Sequence, residues 1–171
     1  MINLTILKIE VNILKINETS LVNSLKSFKG LPHRHEIFYK KDNKIFINDS
    51  KATSFEATKF ALKSNKNIFW IVGGLPKKGD QFQLGNLKKN IIKTYIVGNH
   101  MKNFKEHLKG KVDLQLCKTL KNAIISIFKD TINIKDKKIT ILLSPASASY
   151  DQFKNFEERG DYFKNLIKNK F

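Results

Sequence analysis

The chain has 171 residues, 41% apolar and 27% charged, with a formal net charge of +17. This suits one globular domain with a sizeable core, and no apolar run approaches the ~20 residues that span a bilayer. A single cysteine, Cys117, excludes an internal disulfide and a cysteine metal cluster.

The N-terminus is interrupted by charge and lacks a signal-peptide pattern, so a cytoplasmic protein without membrane partners is expected. The charge invites a nucleic-acid reading. However, only Arg34 and Arg159 among the 32 basic residues are arginine, and arginine carries most bidentate and stacking contacts to bases. A solvated lysine surface is the better reading.

In chain order, Leu14, Leu21, Leu25 and Phe28 share a helical face, with Thr19 or Ser20 as N-cap. Gly30-Leu31-Pro32 ends this helix and marks a boundary. His35–Tyr39 and Lys44–Ile47 form a hairpin turning at 41–43. Thr53 and Glu56 have capping-box spacing, predicting a helix over 54–64 buried through Phe55, Ala57, Phe60, Ala61 and Leu62.

Asn67–Val72 reads as a strand buried on both faces, followed by the loop Gly73–Asp80. A helix near 84–92, a strand 94–97, a helix marked by Met101, Phe104 and Leu108, and a strand 112–116 come next. Thr119 caps a helix containing Leu120, Ala123, Ile124, Ile127 and Phe128. A last buried strand, 139–143, leads through Ser144-Pro145-Ala146-Ser147-Ala148-Ser149 to a helix near 151–168. Strand–helix repetition from Asn67 onward predicts an α/β fold: a three-layer, Rossmann-like domain with a mostly parallel mixed sheet.

Four stretches carry candidate chemistry. In 48–53, Lys51 beside a helix N-terminus suits an anion and Asp49 suits a ribose hydroxyl; a plain capping loop is the alternative. Gly73–Asp80 allows close backbone approach, with Lys77 or Lys78 for an anion. It is no P-loop, because the sequence nowhere contains G-x-x-x-x-G-K-[ST]. His33 and His35 have strand spacing that makes a metal site conceivable, but no third ligand is obvious; Arg34 between them suits stacking or an acid. Ser147 and Ser149 suit a carboxylate, helped by a helix N-terminus near Asp151. A nucleophilic serine would need a G-x-S-x-G elbow and a later histidine, and the last histidine is His107.

Taken together, Gly30-Leu31-Pro32-His33-Arg34 with Glu36, Asn48–Thr53, Gly73-Gly74 with Pro76-Lys77, and Ser144–Gly160 resemble the C-terminal domain of the Mur ligase family, in its D-glutamate-adding branch. The resemblance runs from about Phe28 to the C-terminus. It implies residues 30–171 as that domain and 1–29 as the helical tail of the central ATP-binding domain.

It further implies an ATP-dependent, amide-forming ligase of peptidoglycan synthesis that joins D-glutamate to UDP-N-acetylmuramoyl-L-alanine through an acyl phosphate. Thr53, Lys77, Ser149, the backbone of Tyr150, and Phe156 are then expected at D-glutamate, and Arg34, Asp49 and Lys51 on the nucleotide side. Magnesium and P-loop contacts are expected from a central domain that this sequence lacks, as in a truncated or split ligase. No catalytic or metal residue is assigned here, and the chain alone is expected to be inactive. A non-catalytic interaction module and a basic nucleic-acid binder are the alternative readings. Ser147 is often cysteine in the family, His35 is usually bulky and apolar, and Leu75 and Asp80 vary the glycine loop.

Overall fold

The strand Ile68–Gly73 is buried along its whole length, and the rest of the domain is layered on it. The structure, a computed structural model, describes residues 17–28 and 30–170. The chain divides into two units, Met1–Gly30 and Leu31–Phe171. In the first, α1 (Glu18–Ser27) is capped by the side chain of Asn17, which accepts from Thr19 N at 2.8 Å. The cap is therefore not Thr19 or Ser20: asparagine's short amide reaches the second helical N–H. Leu25 and Phe28 of the expected apolar face are exposed, and Leu14 lies outside the described residues.

The second unit holds a six-stranded sheet. Its strands are β1 (Glu36–Lys41), β2 (Lys44–Asn48), β3 (Ile68–Gly73), β4 (Ile91–Val97), β5 (Leu114–Lys118) and β6 (Ile139–Leu143). Their spatial order is β1-β2-β6-β3-β4-β5. Only β1 runs antiparallel, paired with β2 through the hairpin. The helices are α2 (Phe55–Ser64), α3 (Met101–Leu108), α4 (Leu120–Thr131) and α5 (Phe156–Lys170).

Strand alternation sorts the core into two layers. Phe69 and Ile71 join Phe46, Tyr95, Ile141 and Leu143 beneath Leu120, Ile124 and Ile127 of α4 and Phe163 and Ile167 of α5. Ile68, Trp70 and Val72 join Ile47, Ile96 and Leu142 beneath Phe55 and Leu62 of α2 and Phe104 and Leu108 of α3. The three-layer, mostly parallel α/β arrangement is the one the sequence predicts.

Several local expectations are corrected. Ser54, not Thr53, caps α2, accepting from Ala57 N at 3.3 Å, while Asp80 Oδ2 accepts from Phe55 N at 2.7 Å. Ala57 and Phe60 face solvent and Thr58 is buried, because its hydroxyl meets Ser144 Oγ at 3.0 Å. The stretch expected as a helix near 84–92 is a short 3-10 turn, Gly85–Asn90. There Asn90 Nδ2 donates to Leu62 O at 2.9 Å, and β-branched Ile91 and Ile92 enter β4 instead.

Thr119 caps α4 as expected, accepting from Asn122 N at 3.2 Å, but the strand before it starts at Leu114 rather than 112. The last helix begins at Phe156, five residues beyond Asp151. Asn155 Oδ1 accepts from Glu158 N at 2.8 Å as the helix cap, and Glu158 Oε2 accepts from Lys154 N at 2.6 Å, one residue before the cap rather than at the cap's own N–H as in a capping box.

Tyr95 links the sheet to α4: its hydroxyl donates to Asp130 Oδ2 at 2.6 Å, and Lys93 Nζ reaches the same oxygen at 2.7 Å. Burial and this bond push the Tyr95 pKa far up, so the group is always a donor. Tyr95→Phe is expected to cost about 1 kcal/mol in urea denaturation, with Lys93 still serving Asp130. A variant as stable as the wild type would show that the bond contributes nothing net.

Candidate functional site

In an open parallel sheet, ligands gather beyond the carboxyl ends of the strands. Three neighbouring strands, β2, β6 and β3, run there into the loops 49–54, 144–155 and 74–84. The loops are tied to one another. Asp49 N donates to Leu143 O at 2.8 Å, Gly73 N to Pro145 O at 3.0 Å, and Leu75 and Ala148 exchange backbone bonds at 2.9 and 3.1 Å. Trp70 Nε1 donates to Ser144 O at 2.8 Å. Gly73 and Gly74 have φ of 127° and 135°, a region closed to most side chains.

Asp49 is buried at the join of β2 and β6. Its Oδ1 accepts from His35 N at 3.0 Å and its Oδ2 from Ser144 Oγ at 2.6 Å. Burial raises its pKa to about 6, against the opposing pull of the Ser144 and His35 bonds and the Arg34 charge. Arg34 is exposed. Lys51 Nζ stands 3.8 Å from the centroid of the Phe156 ring, a cation–π contact, and Phe156 O accepts from Ser50 Oγ at 2.8 Å. Lys51 and Phe156, expected at different ligands, thus touch.

Other expected residues stand apart. Thr53 is exposed. Lys77 is exposed and lines a cleft of 460 Å³ with Lys78, Asp80, Phe82, Asn103, His107 and Ala146. Tyr150 is 71% exposed and lines a different, open cleft with Asp151, Phe153 and Glu158. Ser149 is buried, and its carbonyl accepts from Gln152 N at 3.1 Å and Phe153 N at 2.9 Å. The helical N–H groups expected beside it are those of α5, which starts further on. Asp151 instead accepts from Asn99 N at 2.9 Å.

His33 and His35 do not form a strand pair. Both have positive φ, 61° and 46°, and precede β1. His33 Nδ1 meets Asn48 Nδ2 at 2.9 Å, and His35 Nε2 meets Asn65 Nδ2 at 2.8 Å. Among the described residues, no three His, Cys, Asp or Glu side chains converge as metal ligands.

Arg159 counts in the sequence as one of two arginines and lies within the Ser144–Gly160 stretch, but the sequence assigns it no role. It is 2% exposed, donating from Nε to Ser50 Oγ at 3.0 Å and from Nη2 to Ser50 O at 2.8 Å and Ser147 O at 3.0 Å. One guanidinium thereby joins α5 to two of the ligand loops. Its neighbour Gly160 packs against His33 and Asn48. The signals available in the sequence are the scarcity of arginine and its place in the Ser144–Gly160 stretch.

No family model matches the chain. Curated relatives do. UDP-N-acetylmuramoylalanine–D-glutamate ligase of Wolbachia sp. subsp. Brugia malayi (strain TRS) is 44% identical over 151 residues, 88% of this chain and 30% of the relative. The enzymes of the same name from Wolbachia pipientis wMel and Nitrobacter hamburgensis are 40% and 41% identical, over 92% and 91% of this chain and 31% and 33% of theirs. The chain thus spans about a third of the length of these relatives.

Among solved structures, MurF from Acinetobacter baumannii superposes with a TM-score of 0.60 at 16% identity, over 91% of this chain and 34% of that one. The bifunctional folylpolyglutamate synthase/dihydrofolate synthase from Yersinia pestis CO92 gives 0.55 at 12%, over 88% and 34%. At such identities the likeness is one of fold. At 40–44% identity over about nine-tenths of its length, this chain is a homologue of the C-terminal part of UDP-N-acetylmuramoylalanine–D-glutamate ligases, and it shares its fold with MurF.

Proposed function

We propose that this domain binds D-glutamate and closes over ATP in the ligation of D-glutamate to UDP-N-acetylmuramoyl-L-alanine, a step of peptidoglycan synthesis. The observation that carries the reading is the convergence of three loops at the carboxyl ends of β2, β6 and β3, in a chain 44% identical to a ligase of that name. A dicarboxylic amino acid needs cationic and hydroxyl donors from more than one direction. On this reading the donors are Lys77 of the β3 loop, Thr53 of the β2 loop, and Ser149 with the Tyr150 backbone of the β6 loop, and Phe156 is an apolar wall; Lys77 and Tyr150 line separate clefts in this structure, so the loops would have to close for them to share one ligand. Arg34, Asp49 and Lys51 lie on the nucleotide side, where Arg34 and Lys51 offer charge to phosphates.

Residues 1–29 are proposed as the tail of a preceding ATP-binding domain. Phosphoryl transfer to a carboxylate needs a γ-phosphate cradle and magnesium. This sequence has no P-loop, and its described residues form no acidic metal cluster, so those parts fall to other domains of the ligase. The chain alone, given ATP, magnesium, UDP-N-acetylmuramoyl-L-alanine and D-glutamate, is expected to form no product; product formation would refute this division of labour.

The ligand assignment is tested by isothermal titration of D-glutamate. Lys77→Ala is expected to weaken binding roughly tenfold, the worth of one charge-assisted hydrogen bond. Equal, measurable affinity of both proteins would remove Lys77 from the site.

A further inference from the structure

The cleft of 460 Å³ that Lys77 lines has a second wall, and that wall is α3. Its volume is within the range of small-molecule pockets. The β3 loop contributes Lys77, Lys78, Asp80 and Phe82, and α3 contributes Asn103 and His107. Those two are four residues apart, so one helix face presents both to the cleft. The His107 ring stacks on Phe82, with centroids 5.4 Å apart and planes at 24°. Phe82 is itself buried and stacks on Phe55 at 4.7 Å. This column of rings holds the imidazole at the cleft wall.

The cleft is rich in donors and poor in free acceptors. Among the described residues, the ammonium groups of Lys77 and Lys78, the side-chain amide of Asn103 and the ring nitrogens of His107 have no hydrogen-bond or ion-pair partner in the protein. The carboxylate that lines the cleft, Asp80, is engaged elsewhere: its Oδ2 accepts from Phe55 N, at the start of α2, at 2.7 Å. Two lysine charges therefore face a wall whose amide and imidazole can both donate. The ligand that satisfies such a set is an anion with several acceptor lone pairs, as a carboxylate has.

We propose that Asn103 and His107 are ligand-binding residues, which hold from the α3 wall the same carboxylate that Lys77 attracts from the loop. A lysine on its flexible stem is a point charge that accepts an anion from many directions. A stacked imidazole and a helix-borne amide approach from fixed ones, so α3 sets which carboxylates fit. That the carboxylate belongs to D-glutamate rests on the reading above; a carboxylate site between the β3 loop and α3 does not.

The test is an NMR titration of the ¹⁵N-labelled chain with D-glutamate and with glutarate, read at the Gly79, Asn103 and His107 amides. Asn103→Ala and His107→Phe, the latter keeping the stack on Phe82 while removing the ring nitrogens, are each expected to weaken binding roughly fivefold, the net worth of one hydrogen bond open to water. Lys105→Ala, on the opposite face of α3, is expected to leave affinity unchanged. Circular dichroism reports the fold; should His107→Phe not fold, Asn103→Ala, at an exposed position, decides alone. D-glutamate binding that weakens in Lys77→Ala but is unchanged in the α3 variants that fold would overturn this inference and leave the D-glutamate reading standing. Glutarate binding that weakens in the α3 variants, with no response to D-glutamate, would keep the carboxylate site and refute the D-glutamate reading. No response to either compound at these amides would overturn the inference as well.

Discussion

Gly160→Ala is expected to destabilise the domain by about 2–4 kcal/mol, the sum of an overpacking cost and a disrupted buried hydrogen bond. Helix propensity alone predicts the opposite sign, since alanine is favoured over glycine by about 1 kcal/mol inside a helix. Gly160 lies within α5, but an alanine Cβ there would collide with His33 Nδ1 and lie 2.9 and 3.0 Å from the two polar atoms of the Asn48 amide.

Neither neighbour can easily yield. Asn48 Oδ1 accepts from Ser50 N at 3.2 Å, and its Nδ2 donates toward Gly160 O and Glu36 Oε2, both at 3.3 Å. Glu36 Oε2 also accepts from His33 N at 2.9 Å. The collision must break this network or push α5, and Arg159 with it, off the loops it ties. Guanidinium denaturation measures the loss, with Asn165→Ala on the exposed side of the same helix as a control expected to be neutral or slightly stabilising. A Gly160→Ala protein at least as stable as the wild type would contradict the packing described.

The second large effect concerns Asp49. Its folded pKa of about 6 stands above the ordinary 3.8, so the folded state holds this proton more tightly than the unfolded one. Below the ordinary value both states are protonated and the term is absent. As pH rises from about 4 to about 6, the unfolded chain releases the proton first, and stability falls by about 2–3 kcal/mol before levelling off. This is opposite in sign to a carboxylate held by an ion pair.

Asp49→Asn removes the titration while keeping an acceptor for His35 N and a group able to meet Ser144. The difference in unfolding free energy between Asp49→Asn and wild type, measured from pH 4 to pH 7.5, is expected to move in favour of the variant by that amount. A flat difference would show that burial does not strain this carboxylate. A buried carboxylate maintained at such a cost beside Arg34 is consistent with the nucleotide-side role proposed for the pair.

Much of the fold was legible because its signals are local and repeated. Apolar runs at 67–72 and 139–143 announced buried strands, observed at 68–73 and 139–143, and Thr119 announced a cap. The errors share one cause: competition between a residue's local preference and a distant partner. Thr53 has capping-box spacing, but the Asp80 carboxylate and the Ser54 hydroxyl fill that role. Asp151 resembles a helix start, but Asn99 takes it. Asn90 and its neighbours read as helix until Leu62 O binds the asparagine amide.

The candidate site divides in the same way. The sequence determined its components: the Asn48–Thr53, Gly73–Asp80 and Ser144–Gly160 stretches and the family they resemble, because those residue types at those spacings are rare in combination. The tertiary structure alone decided their arrangement. It set Lys51 against Phe156, put Lys77 and Tyr150 in separate clefts, and buried Asp49 at the join of β2 and β6. It also drew Arg159, a helix residue far along the chain from Ser50, into the centre of the loops with one nitrogen unbonded. Spacing along a chain reports which side chains an element presents. Desolvation and the balance of buried charge depend on which elements pack together, and that is a property of the folded whole.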